Sequence, residues 1–352
     1  MSPDVRTDLD AIPAYVPGAT VPGAVKLASN ETTAGPLPSV AAAIADAAAG
    51  ANRYPDITSR ALVKRLADFL GVEPENVTAG CGSVALCQQL VQAVCAPGDE
   101  VIYGWRSFEA YPIISRIAHA VPVQVSNRAD GSLDLDAIAD AVTDRTRLIF
   151  LCTPNNPTGP AVSRTDLAAF LDRVPARVTV ALDEAYYEYV RSSDPVDGVA
   201  EAMARPNVVS LRTFSKAYGL AGLRVGYMVG PAELVTSVSK MVVPFSVSSL
   251  AQAAGIACLE AGDELRARTD AVVAERTRVR DALLGMGYEV PESQANFVWL
   301  PLGERAAGFN EHCRERLVIT RCFAGDGVRI SVGDPEENDR LLAAAQEFVT
   351  VM

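Results

Sequence analysis

The stretch Thr213-Phe-Ser-Lys-Ala-Tyr-Gly-Leu-Ala-Gly-Leu-Arg-Val-Gly226 places a lysine among small and glycine-rich neighbours, directly after the apolar run Val208-Val-Ser-Leu211. A short strand that ends in such a polar loop is where a buried parallel sheet presents its ligand-binding groups, beyond the carboxyl ends of the strands. A lysine amine is a poor nucleophile at neutral pH because its unperturbed pKa is roughly 10.4. Burial or a nearby cation such as Arg224 makes it useful, and its covalent use is a Schiff base with a carbonyl compound. A lone Ser-Lys pair is ordinarily a solvated turn. The weight of Lys216 therefore rests on what accompanies it.

Upstream, apolar runs recur at Glu100-Val-Ile-Tyr103, Val121-Pro-Val-Gln-Val125, Leu148-Ile-Phe-Leu-Cys152 and Val178-Thr-Val-Ala-Leu182. Helical patterns precede them, namely an alanine-rich segment capped by Ser39 and reaching Gly50, then Ser59 to Leu70 and Ala85 to Val94, and patterns such as Thr165 to Leu171 separate several of them. Runs that are apolar on both faces and alternate with helices predict an α/β fold, with a mainly parallel sheet sandwiched by helices. Asn155 and Asn156 follow one strand, Asp183 the next and Lys216 the third. From about residue 245 the pattern changes. A long helical segment from Ser248 to Met286, interrupted near Gly262, precedes strands at Asn296-Phe-Val-Trp-Leu300 and Gly327-Val-Arg-Ile-Ser-Val332 and a closing helix from Glu336 to Val349. The expected division is an N-terminal arm over 1–35 joining a smaller α+β unit over 245–352, with a large ligand-binding unit over 36–244.

Composition narrows the partners. The 352 residues are 49% hydrophobic and 21% charged, as in an ordinary globular protein, and the formal net charge is -12. That field argues against nucleic acid or an anionic membrane, both of which need a basic footprint. An anionic ligand must then be held by a local pocket of arginine, lysine and backbone N–H groups. No apolar run approaches the roughly 18 residues of a bilayer span. The first ten residues lack the layout of a secretory leader, so the expected place is the cytoplasm. The 7 cysteines show no Cys-x-x-Cys pair and read as reduced thiols, and the 2 histidines, His119 and His312, are too far apart for a triad or a zinc site.

Four features have a physical role if the ligand is pyridoxal 5'-phosphate. Asp183, in Leu182-Asp-Glu-Ala-Tyr186, is a carboxylate able to keep the pyridinium nitrogen protonated, which makes the ring an electron sink. Tyr186 and the amide of Asn156, in Pro154-Asn-Asn-Pro-Thr-Gly159, can reach the ring's phenolic oxygen, the prolines stiffening that turn. Gly82-Ser83-Val84 at a helix start offers backbone donors and a hydroxyl to a phosphate. Ser215 and Arg224 add a second hydroxyl and a permanent charge. Gly80-Cys-Gly-Ser-Val-Ala85 also fits a dinucleotide fingerprint, but the acidic pair Asp99-Glu100 precedes its strand instead of ending one, and the first strand, Asn76-Val-Thr78, is short.

Pro154-Asn-Asn-Pro-Thr-Gly159, Asp183-Glu-Ala-Tyr186 and Ser215-Lys-Ala-Tyr-Gly-Leu-Ala-Gly-Leu-Arg224 together resemble the fold type I, pyridoxal-phosphate-dependent aminotransferases, in particular the histidinol-phosphate and aromatic amino acid aminotransferases. The similarity extends from Lys26-Leu-Ala-Ser-Asn-Glu31 through Asn52-Arg-Tyr-Pro55 to Arg329-Ile-Ser-Val-Gly333. It implies a seven-stranded-type sheet and Lys216 as the lysine that carries the cofactor. It also implies Asp183 as the pyridinium partner, with Asn156 and Tyr186 on the phenolic oxygen. Gly82, Ser83, Val84, Ser215 and Arg224 are then the phosphate cradle, and Phe108 the ring stacked on the cofactor. Tyr54 is expected to reach the phosphate of a neighbouring subunit and its substrate, which implies a homodimer with composite sites. Arg329 is expected to clamp the substrate α-carboxylate, as a bidentate guanidinium suits, with Asn30 and Asn156 beside it.

The substrate is expected to be an aromatic amino acid paired with 2-oxoglutarate. Relatives acting on histidinol phosphate usually carry Gly-Ser-Asp-Glu where this chain has Gly82-Ser-Val-Ala85, and Asn-Glu-Asn-Pro where it has Asn30-Glu-Thr-Thr33. The run from Gly80 to Leu90 looks instead like the aromatic aminotransferase group of actinobacteria. Arg321 matches an arginine that binds the substrate phosphate in the histidinol-phosphate enzymes. In an aromatic enzyme it can meet the side-chain carboxylate of glutamate, so histidinol phosphate stands as the alternative.

Overall fold

The computed structural model describes residues 21–350, together with residues 7, 10 and 12. Most of the expected arm over 1–35 lies outside the described residues. The strands are β1 (Val25–Lys26), β2 (Val77–Gly80), β3 (Glu100–Trp105), β4 (Val121–Ser126), β5 (Thr146–Cys152), β6 (Thr179–Asp183), β7 (Val208–Thr213), β8 (Gly226–Val229), β9 (Phe297–Leu300), β10 (Val318–Ile319), β11 (Arg321–Phe323) and β12 (Gly327–Ser331). The helices are α1 (Pro38–Ala48), α2 (Arg60–Leu70), α3 (Gly82–Val94), α4 (Ala110–Ile117), α5 (Leu135–Asp140), α6 (Arg164–Arg173), α7 (Gly198–Ala204), α8 (Ala232–Ser239), α9 (Ser249–Glu260), α10 (Gly262–Gly285), α11 (Ala306–Glu315) and α12 (Pro335–Thr350).

Seven strands form one sheet in the order β2-β8-β7-β6-β5-β3-β4. The run from β7 to β4 is parallel, and β8 lies antiparallel to both β7 and β2. Alternate residues of each central strand serve opposite faces, as the period of two demands. Leu148 and Phe150 of β5 pack with Leu86 and Leu90 of α3 and Tyr111 of α4, whereas Ile149 and Leu151 pack with Leu167 and Phe170 of α6. Both faces are covered, so the strands read as continuous apolar runs. A third cluster joins α1, α2 and α9 to β2 and β8 around the fully buried Phe214.

A separate apolar cluster lies on the three-stranded sheet β11-β12-β9, covered by α11, α12 and the end of α10. β1 pairs in parallel with β10, and Ser331 N–H donates to the Leu27 carbonyl at 2.8 Å. The segment just before residue 30 is thereby fastened to this second sheet. Among the described residues no helix is long and apolar enough to cross a membrane.

Two local expectations need correction. The first helix starts at Pro38 and not after a Ser39 cap, because proline at the first helical position loses nothing by lacking an N–H. The helix expected from Ala85 already begins at Gly82, so the whole of Gly82-Ser83-Val84 is its first turn. The dinucleotide reading, disfavoured by the sequence, is ruled out: β2 is an edge strand whose neighbour β8 runs antiparallel, so β2 and α3 do not open a parallel βαβ unit.

Candidate active site

The carboxyl ends of β5, β6 and β7 open into a cavity of about 530 Å³, closed on the other side by β11, β12 and the segment 28–31. Of the residues singled out from sequence, Asn30, Ser83, Val84, Phe108, Asn156, Asp183, Tyr186, Ser215, Lys216, Arg224, Arg321 and Arg329 all line it. Gly82 lies immediately behind, and Tyr54 does not reach it. Tyr54 is 84% exposed and stacks on Phe245 with ring centroids 4.7 Å apart.

Lys216 follows β7 in a tight turn, its Nζ donating to the Ser29 carbonyl at 3.1 Å. Burial, helped by the charges of Arg329 and Arg224 against that of Glu31, brings its pKa down to about 8. Asp183 ends β6. Burial pushes its carboxyl up to about 6, although Tyr111 donates to Oδ2 at 2.7 Å. Its other oxygen, Oδ1, is buried without a hydrogen-bond partner. Such an atom needs a donor, and a protonated ring nitrogen is one. The adjacent Glu184 turns away to Arg212 Nε at 3.1 Å, Ser210 Oγ and Gly198 N–H, tying the segment after β6 to β7.

Two amide networks fix the polar groups of Asn156 and Tyr186 in the cavity wall. Arg329 Nη1 donates to Asn156 Oδ1 at 2.6 Å and Nη2 to the Ala28 carbonyl at 2.6 Å. A guanidinium only donates, so the Asn156 atom facing it is the oxygen and the NH₂ is left for the ligand. Ser331 Oγ donates to Asn30 Oδ1 at 2.9 Å, and Asn30 Nδ2 donates to Tyr186 Oη at 2.9 Å. With its oxygen already accepting, Tyr186 has its proton to give. Asn155, fully buried, donates to Thr158 Oγ1 at 2.7 Å and accepts from Ser107 Oγ at 2.7 Å, which fixes the turn that carries Asn156.

The anion cradle is built by close approach. Gly82 has φ +77°, and a Cβ there would lie 2.4 Å from Arg224 Nη2. At Gly226 a Cβ would meet the Ser83 backbone nitrogen at 2.7 Å. The first turn of α3, Ser215 Oγ and the Arg224 guanidinium (Nη1 to Oγ 3.2 Å) converge here, adding backbone dipole and charge. Asn30 and Arg224 both adopt left-handed backbone, with φ 54° and 56°. Non-glycine residues so placed cost of order 1–3 kcal/mol each and cluster at functional sites.

Sequence reasoning missed Tyr111, Ser107, Ser29, Glu109, Ile113 and Phe323, which line or support this cavity. Tyr111 stands three residues after Phe108 and meets it edge to face, with ring centroids 5.5 Å apart. That helical spacing was the one signal available. Phe323 and Ser29 arrive from other parts of the chain, and nothing near them in sequence announces it.

A seven-stranded, mainly parallel sheet with this lysine, acid and cradle at its carboxyl edge defines a fold type I pyridoxal-phosphate enzyme. The chain belongs to the family described as Aminotransferase class I and II, which matches residues 22–344. It is 63% identical to the aromatic amino acid aminotransferase of Rhodococcus opacus (strain B4), over 98% of this chain and 96% of that protein. It is 59% identical to the aromatic amino acid aminotransferase of Nocardia farcinica (strain IFM 10152), over 100% of this chain and 99% of that one. Among solved structures it is similar to the histidinol-phosphate aminotransferase from Sinorhizobium meliloti in complex with pyridoxal-5'-phosphate, with TM-score 0.86 and 29% identity over 93% of this chain and 91% of the other. An aspartate aminotransferase mutant from Thermus thermophilus shares the fold at TM-score 0.84 and 22% identity, covering 99% of each chain. As an aminotransferase of this family the chain uses pyridoxal phosphate. The orphaned Asp183 oxygen and the glycine-lined cradle fit that cofactor.

Proposed function

We propose that this aminotransferase exchanges an amino group between an aromatic amino acid (phenylalanine, tyrosine or tryptophan) and 2-oxoglutarate, in alternating half-reactions. The observation that carries this is the cavity's largely apolar wall of Phe108, Ile113, Ile117 and Phe323, with charge confined to a few groups. Relatives named for aromatic substrates, matching along nearly the full chain, support it.

When bound, pyridoxal phosphate supplies an electron sink for the charge left at the substrate's Cα. Asp183 Oδ1 holds the proton on the ring nitrogen, and Tyr186 Oη and the Asn156 amide donate to the phenolic oxygen. Ser83, Val84 N–H, Ser215 and Arg224 grip the phosphate, and Phe108 covers the ring. Arg329, steadied by Asn156 and Ala28, orients the substrate α-carboxylate beside Asn30. Lys216 Nζ, whose lowered pKa of about 8 leaves a useful minority of free amine at physiological pH, would take the Cα proton and return it to the cofactor's C4′.

The chain is proposed to work as a homodimer in which Tyr54 completes its neighbour's site. Tyr54, Ile57, Val243 and Phe245 form exposed apolar surface that a second copy would cover. A cytoplasmic setting suits its seven free thiols. The division 1–35, 36–244 and 245–352 is proposed for its units, with α9 the part of the last that leans on the helices of the large sheet.

Histidinol phosphate is the competing substrate, favoured by Arg321 in the cavity. With purified protein and 2-oxoglutarate, kcat/KM for phenylalanine should exceed that for histidinol phosphate by at least about tenfold. A strong preference the other way overturns the aromatic reading. Lys216→Ala should bind cofactor yet lose steady turnover, and full activity in that variant would refute the assignment of the base.

A further inference from the structure

The cavity contains an ion pair that proton transfer does not use. Arg321 on β11 donates through Nη2 to Oε2 of Glu109, the residue that opens α4, at 2.8 Å, and the two side chains are 18% and 34% exposed. Both line the cavity. Arg321 stands directly opposite Arg329 in the β11–β12 ladder. Residues so paired leave the sheet on the same face with neighbouring Cβ atoms.

Two guanidinium groups side by side suit a ligand with a carboxylate at each end, the α-carboxylate on Arg329 and the distal one on Arg321. That describes glutamate and 2-oxoglutarate. An aromatic partner offers Arg321 only a ring, and a half-buried guanidinium on apolar surface gains from a carboxylate beside it. One site must nevertheless serve both, because the two half-reactions share it.

We propose that Glu109 is the specificity-determining counter-ion of Arg321. It neutralises the guanidinium while an aromatic side chain fills the cavity, and yields it to the distal carboxylate of glutamate or 2-oxoglutarate. The inference rests on the aromatic and dicarboxylate pairing proposed above. The geometry allows the exchange at small cost. Glu109 is exposed enough for its carboxylate to turn to water, which screens its hold on Arg321, and the α4 N-terminus favours negative charge in either position. The incoming carboxylate is already tethered through Arg329, so it competes at high effective concentration.

The two half-reactions are measured separately on the cofactor-loaded protein, with glutamate alone or phenylalanine alone, through the cofactor's absorbance. Glu109→Gln keeps size and reach but removes the charge. KM for glutamate should fall about tenfold with kcat held, and kcat/KM for phenylalanine should fall by a similar factor. In an Arg321→Gln background the same substitution should leave the ratio of the two kcat/KM values within about twofold, since the coupling runs through that arginine. Glu109→Asp should lie between wild type and Glu109→Gln. A parallel loss in both half-reactions, or an equal change of ratio without Arg321, shows that Glu109 only supports α4 and overturns the proposal. Wild-type protein that refuses phenylalanine while Glu109→Gln still sharpens glutamate binding sinks the aromatic reading and leaves the counter-ion standing. Good turnover of phenylalanine with no change toward glutamate does the reverse.

Discussion

One oxygen of Asp183 is held by the protein and the other is left without a partner, and Tyr111 decides which is which. The Tyr111 hydroxyl, 2.7 Å from Oδ2, resists rotation of the carboxylate and leaves Oδ1 as the buried oxygen without a partner. Tyr111→Phe keeps the stack on Phe150, whose centroid is 4.5 Å away, and removes only the hydroxyl. A hydrogen bond to a charged group contributes about 1.5–3 kcal/mol, so kcat should drop roughly tenfold or more, together with a lowered unfolding temperature. An unchanged kcat would show that Asp183 needs no such support. Lys216 makes a second prediction at this scale. Burial lowers its pKa to about 8, so in cofactor-free protein the neutral amine grows about tenfold per pH unit up to pH 8 and then levels off. The rate of pyridoxal phosphate uptake should follow that curve between pH 6 and 9. A rise that continues to about pH 10.4 would mean an unperturbed lysine.

At the scale of elements, the cradle depends on how closely β8 passes the start of α3. Gly226 leaves no room for a side chain, because the nearest atoms are backbone, Ser83 N at 2.7 Å and Arg212 O at 2.8 Å. Gly226→Ala must therefore push α3 away from the sheet. Overpacking of this kind costs about 1–3 kcal/mol, and the shift should weaken cofactor binding at least about tenfold, read by titration of the cofactor-free protein. Retained affinity with lowered stability would place the phosphate elsewhere. The same junction shows why element starts were hard to read. Gly82 looked like a loop residue, yet it takes a φ of +77° and begins the helix because Arg224 occupies the space where its side chain would be.

For the whole molecule, the question is whether one chain makes a complete site. Tyr54 is exposed and outside the cavity of its own chain. If it serves a second copy, Tyr54→Ala and Lys216→Ala proteins, each weak at limiting cofactor, should complement when refolded together. Random pairing gives mixed dimers with one intact site of two, so about a quarter of wild-type activity should return. Recovery no better than the sum of the separate variants would argue for sites built from single chains.

The apolar runs of the central strands and the lysine, acid and amide at their ends were legible because each depends on local sequence: a strand buried on both faces has to be apolar, and its carboxyl end presents the next polar residues. Gly82 to Val84 were legible as glycine and hydroxyl residues beside a helix, but not as its first turn. Tertiary structure alone decided that Tyr111 anchors Asp183, that the Ser29 carbonyl meets Lys216, that Glu109 pairs with Arg321 and that Arg321 stands beside Arg329. These partners lie on different elements, and a contact between distant segments leaves no periodicity in either one.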